Sequence, residues 1–291
     1  MSEDRAPAWV LAASPAGTPT MTRAPWGFDH ETWILGNGSP RLVVQRRADA
    51  VDPTAPTSRS IRAAVRLVGL EVPEPDLVAS DEGHAIVTLP FVEGRPGSEL
   101  LSGAAEAHAI GRLCGGAADA LARIDPVGLE LPTTWASGEQ LLSAGGGWVR
   151  CCSGTLDPTA RADLAGLLET AAGELDRVPA RFAHGDLAPV NVLVRDGSVA
   201  ALLDLDRARL AHPLYDAAWF AWVVTYHHPD IADAAWAGYA GASRLPVSRP
   251  AAFAWLQPLQ LLERAATAPT PSRQATWSAR LARLLDEQRH V

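Results

Sequence analysis

The sequence predicts an α+β chain with a small β-rich N-terminal lobe (residues 1–93) and a larger, mainly helical C-terminal lobe (residues 94–291). Two observations predict it. Apolar runs of β type, broken by Gly, Pro and Asn, dominate as far as HAIVTLPFVEGRPG; after Gly97, long Ala/Leu/Arg-rich segments recur with helical periodicity. The 291 residues are 47% hydrophobic, enough for one large core or two modest ones.

The elements follow in order. Residues 1–20 are small and Pro-rich and read as a loose arm. Trp33 to Arg47, WILGNGSPRLVVQRR, reads as two strands joined by a turn at Asn37-Gly38-Ser39-Pro40. Ser58 to Val68 has helical character, and the two prolines of GLEVPEPDLVA end it. HAIVTLPFVEGRPG is an apolar strand running into a Gly/Pro-rich exit, and residues 89–94 connect the lobes. Residues 99–125, 157–177, 215–240 and 251–288 carry the helical pattern.

Composition narrows the function classes. The start MSEDRAPAWVLAASPAG is acidic with too short an apolar run for a signal peptide, and no run reaches membrane-spanning length. Cys114, Cys151 and Cys152 do not make a disulfide framework, so a reduced, cytoplasmic protein is expected. A net charge of −8 argues against nucleic acid as a partner. There is no lysine: all 25 basic residues are arginine, so any task that needs a cationic side chain falls to Arg.

The stretch RFAHGDLAPVNVLVRDGSVAALLDLDRARL, residues 181–210, concentrates chemistry in an otherwise apolar chain. VNVLV and VAALLD are β-type runs around Asp196-Gly197, a strong hairpin signal. With the turn there, paired positions sum to 393, so 191 faces 202 and 189 faces 204. Asn191 and Asp204 then lie within two residues of each other at the hairpin's open end, with Asp186 in the loop beside them. An Asn oxygen with a carboxylate suits Mg²⁺ held jointly with phosphates. Asp186, five residues before Asn191, is spaced to take a proton from an attacking hydroxyl, as in the Asp-x-x-x-x-Asn loop of phosphoryl-transfer enzymes.

HGDLAPVNVLV, LLDLDRAR and HPLYDAAW together resemble the aminoglycoside phosphotransferase family, small-molecule kinases with a protein-kinase-like two-lobed fold; the resemblance spans roughly residues 25–240. It implies Asp186 as catalytic base, Asn191 and Asp204 as Mg²⁺ ligands, and ATP or GTP as co-substrate. It implies a loop-shaping His184 and an Asp216 that ties a helix start to the catalytic loop. Asp206 falls where the family tolerates several residues, solvated or paired with Arg207. TLPFVEG resembles the adenine-gripping hinge, with the Pro90 carbonyl and Val92 amide as contacts. RLVVQRRAD matches the strand that carries the phosphate-anchoring Lys; Arg46 is the expected substitute, and a register error would replace it with Gln45 or Arg47.

Two departures stand out. Between Asp52 and Glu71 there is no acidic residue to pair with that cation, and the phosphate loop APWGFDHETW has the single Gly27 beside Asp29, His30 and Glu31. The resemblance implies a small-molecule hydroxyl as acceptor. Residues 93–180 hold 12 Asp and Glu against 6 Arg, which favours a cationic aminoglycoside or basic peptide antibiotic. Residues 207–291 hold 6 against 9, with Trp219, Trp222, Tyr226, Trp236, Tyr239 and Trp255, which suit a macrolide if they are not simply core. A metabolic kinase of choline or homoserine type, a pseudokinase, and a glycosyltransferase using Asp204-Leu205-Asp206 are the rivals. The chain is expected as a monomer or homodimer.

Overall fold

The computed structural model describes residues 6–14, 20–24, 30–36, 42–47, 54–81 and 84–290. The first elements in chain order are α1 (Ala8–Ala13), β1 (Met21–Arg23), β2 (His30–Leu35), β3 (Leu42–Arg47), α2 (Pro56–Leu67), β4 (Asp76–Asp81), β5 (His84–Pro90) and β6 (Arg95–Pro96). There follow α3 (Ala104–Leu121), α4 (Gly138–Cys151), α5 (Pro158–Leu175), β7 (Arg181–Ala183), β8 (Val192–Arg195), β9 (Ser198–Leu202) and β10 (Arg209–Ala211). The chain ends with α6 (Tyr215–His227), α7 (Ala232–Ser243), α8 (Phe253–Ala266) and α9 (Pro271–Arg289). None of these helices is long and apolar enough to cross a membrane.

The chain divides into two units. The first is Met1–Pro96 with Val192–Asp206, and the second is Gly97–Asn191 with Arg207–Val291. This differs from a single cut after residue 93, because the β8–β9 hairpin returns to the first unit.

In the first unit, β1-β2-β3-β5-β4 form an antiparallel sheet. Leu35 pairs with Leu42, so the two expected strands are there, while the turn at Asn37-Gly38-Ser39-Pro40 lies outside the described residues. One face of the sheet buries Trp33, Leu35, Val44 and Ile86 against Val10 of α1. The loose arm expected over residues 1–20 is thus corrected in part: AWVLAA forms a short helix because Val10 finds an apolar surface to cover. Strand alternation places Arg46 on this same face as Val44, and Gln45 and Arg47 on the opposite one.

A smaller sheet, β6-β8-β9, carries the predicted hairpin. Asp196 (φ 52°) and Gly197 (φ 73°) both adopt left-handed geometry, as a tight turn matched to strand twist requires. Arg195 pairs with Ser198 in the expected register, but a bulge shifts the pairing so that Val192, not Asn191, faces Leu202. An extra residue on β9 moves the open end by one position. The amide of Leu202 donates to the Glu71 carbonyl at 2.8 Å, tying the hairpin into its unit.

The second unit is helical around the short β7–β10 ladder. Helices α3 and α7 pack backbone to backbone: a Cβ on Gly111, Gly115 or Gly238 would run into the carbonyls of Ala235, Tyr239 and His108. The segments 215–240 and 251–288, expected as continuous, are each two helices, because Pro229 and Pro271 each open a new helical segment. Helix α4, absent from the sequence reading, forms despite Gly145-Gly146-Gly147. Helix α8 is buried almost throughout, from Phe253 to Ala265.

Candidate active site

In the second unit, β7 delivers the chain into His184-Gly185-Asp186. The loop is fastened from behind. Asp216, second residue of α6, accepts the amide N–H of His184 (2.8 Å) and of Gly185 (2.9 Å) through its two carboxylate oxygens. The Asp216 pKa is nevertheless raised, because burial outweighs the favourable His184 charge and the two amides. His184 is fully buried, and its Nδ1 accepts the Asp186 amide at 3.3 Å, the loop-shaping position expected of it. Gly185 has φ 82°, and a Cβ there would meet the Arg207 carbonyl, so only glycine fits.

Asn191 closes the loop. Its side-chain nitrogen donates to the Asp186 main-chain carbonyl at 2.8 Å, which leaves the amide oxygen as an acceptor. The Asp186 carboxylate is paired: Nη2 of Arg264, on α8, reaches its Oδ1 at 2.8 Å and the Gly185 carbonyl at 3.1 Å. Burial pushes the Asp186 pKa up, but Arg264 foremost, then Arg207 and His184, outweigh it and hold the carboxyl below its ordinary value. Arg264 lies over the Trp219 ring at 4.3 Å.

Beside it Glu263 accepts Arg209 Nη1 on both oxygens at 2.8 Å, Trp135 Nε1 at 3.0 Å and Tyr215 O–H at 3.3 Å. Sequence reasoning missed this buried pair. Its signal was the charged Glu-Arg dipeptide inside the apolar run LQLLERAA, a placement that occurs only with partners.

The first unit holds the remaining candidates. Asp204 is half-buried with φ 59°, a left-handed conformation uncommon outside glycine and enriched at functional positions. Asp206, expected to be solvated or paired with Arg207, forms an ion pair with Arg47, whose side chain is 6% exposed. Arg46, on the α1-covered face, has its Nη2 3.4 Å from Nδ1 of His84. Asp206 supplies Arg47's partner, while α2's own Arg62 and Arg66 both pair with Glu74. Pro90 ends β5 opposite Leu42, and Val92 lies in the coil that follows. Gly27 and Asp29 lie outside the described residues; Glu31 accepts the Trp33 indole N–H at 3.4 Å.

Most of the singled-out aromatics are core. Trp219, Trp222, Trp236, Tyr239 and Trp255 are buried, and only Tyr226 is partly exposed, within reach of Arg280 and Arg283. Several acidic residues of segment 93–180 already serve structure: Asp157 caps α5, Asp176 accepts the Gly138 amide, and Asp119, Asp163 and Glu174 pair with arginines.

A model of the APH phosphotransferase enzyme family matches residues 20–259. No curated protein matches the chain in sequence. Among solved structures, aminoglycoside phosphotransferase APH(4)-Ia is similar at 17% identity and a TM-score of 0.66, over 95% of this chain and 95% of that one. A thermostable mutant of it, in ternary complex with ADP and hygromycin B, gives 16% and 0.62, over 92% and 94%. Macrolide 2'-phosphotransferase MphH from Brachybacterium faecium gives 19% and 0.55, over 94% and 97%. At these identities the likeness is one of fold.

Proposed function

The chain belongs to the APH phosphotransferase enzyme family, and from that premise we propose that it moves the γ-phosphoryl group of ATP or GTP to a hydroxyl of a small-molecule antibiotic. Its fold is protein-kinase-like. The observation that carries the reading is the tether between Asn191 and the Asp186 carbonyl, which fixes both residues of an Asp-x-x-x-x-Asn loop in one geometry.

Asp186 orients the acceptor hydroxyl and receives its proton as the oxygen attacks phosphorus and the nucleoside diphosphate leaves. The Asn191 oxygen and the Asp204 carboxylate are hard donors, suited to Mg²⁺, which when bound neutralises charge on the phosphates. Arg47 replaces Arg46 as the cation for the phosphates, since Arg46 is on the sheet face that α1 covers. The Pro90 carbonyl and Val92 amide are the nucleobase contacts of this reading.

Within the antibiotic class, the charge balance of residues 93–180 and the hygromycin B complex of the structural neighbour support a cationic aminoglycoside or a basic peptide. One observation favours a less charged, macrolide-like acceptor: the Asp186 carboxylate already carries a cation, the Arg264 guanidinium at 2.8 Å. The test is Mg²⁺-dependent nucleotide consumption with aminoglycosides, basic peptides, macrolides, choline and homoserine offered in turn. Stimulation by one antibiotic class is expected. Stimulation by choline or homoserine alone would mean a metabolic kinase, and nucleotide bound without turnover would mean a pseudokinase.

A further inference from the structure

Arg264 has no part in the roles above, yet it is the residue most tightly engaged with Asp186. It comes from α8, 78 positions along the chain from the loop, and its side chain is only 6% exposed. Such burial of a guanidinium is unfavourable unless it is paired, and here it is paired with the loop itself. One nitrogen, Nη2, donates both to Asp186 Oδ1 and to the Gly185 carbonyl. The flat face of the group rests on Trp219 at 4.3 Å, which limits rotation about its long stem. Among the described residues no hydrogen bond reaches Asp186 Oδ2.

We propose that Arg264 is a positioning residue for the phosphoryl transfer: it clamps Oδ1 of Asp186 to the backbone of Gly185, so that Oδ2 alone is presented to the acceptor hydroxyl. The inference rests on the reading of Asp186 as the catalytic base. The chemistry balances without a further reactant. The acceptor O–H bond breaks, its proton passes to Oδ2, the oxygen forms the new P–O bond, and the P–O bond to the nucleoside diphosphate breaks, its electron pair leaving on the diphosphate oxygen. A carboxylate held by a guanidinium is a weak base, so it accepts the proton only once charge has left the attacking oxygen. Orientation is then the larger part of its service. Arginine suits the task better than lysine, because a planar group can stack on Trp219 while donating in its plane.

The test compares wild type, Arg264→Gln and Arg264→Lys in two readouts. The first is the titration of Asp186, followed by carboxyl ¹³C NMR on protein labelled at aspartate, with Arg207 and His184 left in place. The second is kcat and KM for nucleotide consumption, with an acceptor or with water. In Arg264→Gln the Asp186 midpoint should rise, and kcat should fall about 10²-fold with nucleotide KM unchanged. In Arg264→Lys the midpoint should stay near wild type while kcat still falls, because a point charge restores the field and not the clamp.

An unchanged midpoint and kcat in Arg264→Gln would overturn the proposal. If Arg264→Gln fails to fold, Arg264→Lys decides, and a wild-type kcat there overturns it. A wild type that consumes no nucleotide under any condition removes the phosphotransfer reading and the catalytic service with it, while the NMR arm still reports whether Arg264 controls Asp186.

Discussion

Asn191 donates its side-chain amide to the main-chain carbonyl of Asp186 over 2.8 Å, so one residue both braces the loop and keeps its oxygen as an acceptor. These two jobs are separable. Asn191→Asp keeps an oxygen and loses the donor, whereas Asn191→Ala loses both. The Mg²⁺ concentration for half-maximal rate should rise strongly in Asn191→Ala and little in Asn191→Asp, while kcat falls in both. Equal Mg²⁺ requirements in wild type and Asn191→Ala would remove Asn191 from the metal site.

The two neighbouring arginines of β3 give a second prediction. Arg47 pairs with Asp206, and Arg46 shares the face of Val44 that α1 covers. Arg47→Ala should weaken nucleotide binding by tenfold or more, on the order of the 1.5–3 kcal/mol of a charge-assisted bond. Arg46→Ala should leave it nearly unchanged. Titration calorimetry with a non-hydrolysable nucleotide reads both, and the reverse order would contradict the assignment.

Asp216 accepts two buried amides with two oxygens. Asp216→Asn retains one acceptor and leaves one amide unpaired, a cost of about 1–3 kcal/mol. Gly185→Ala forces a side chain into φ 82° against the Arg207 carbonyl; the left-handed backbone alone costs about 1–2 kcal/mol. Urea denaturation should show both losses, and Gly185→Ala should also lose activity in the fraction that remains folded.

Acid stability is the fourth expectation. Burial pushes the Glu263 pKa up, but the guanidinium of Arg209, then Arg207 and Arg264, hold it below the ordinary 4.5. A depressed carboxylate contributes stability that is present above its unfolded value and lost as pH falls through the folded one. Asp216, raised by burial, works in the opposite sense and so blunts the slope. Glu263→Gln strands Arg209 and should destabilise by about 3–5 kcal/mol at neutral pH. The gap between the two proteins should narrow as pH drops below 4.5. A gap that stays constant to the acid limit would mean that Glu263 is not ionised in the fold.

How far the sequence reveals this depends on the range of the interaction. The β8–β9 turn was legible because Asp196-Gly197 carries its own backbone preference. Its register at the open end was not, since the bulge arises from pairing between strands. Which face of β3 is covered was not legible, since the covering helix lies in what reads as a Pro-rich arm. Arg264 lies 78 positions from its partner, and no local pattern links them. The closeness of Asp186 and Asn191 was legible, because the two lie five residues apart in one short loop.

In the proposed function, Asp186 acts on a bound acceptor and not on the nucleotide. The measurement is phosphate transfer to the acceptor identified in the panel, compared between wild type and Asp186→Ala, with nucleotide affinity measured on the same samples. Transfer should fall about 10²–10⁴-fold in Asp186→Ala with nucleotide affinity nearly unchanged. Undiminished transfer in Asp186→Ala would contradict it.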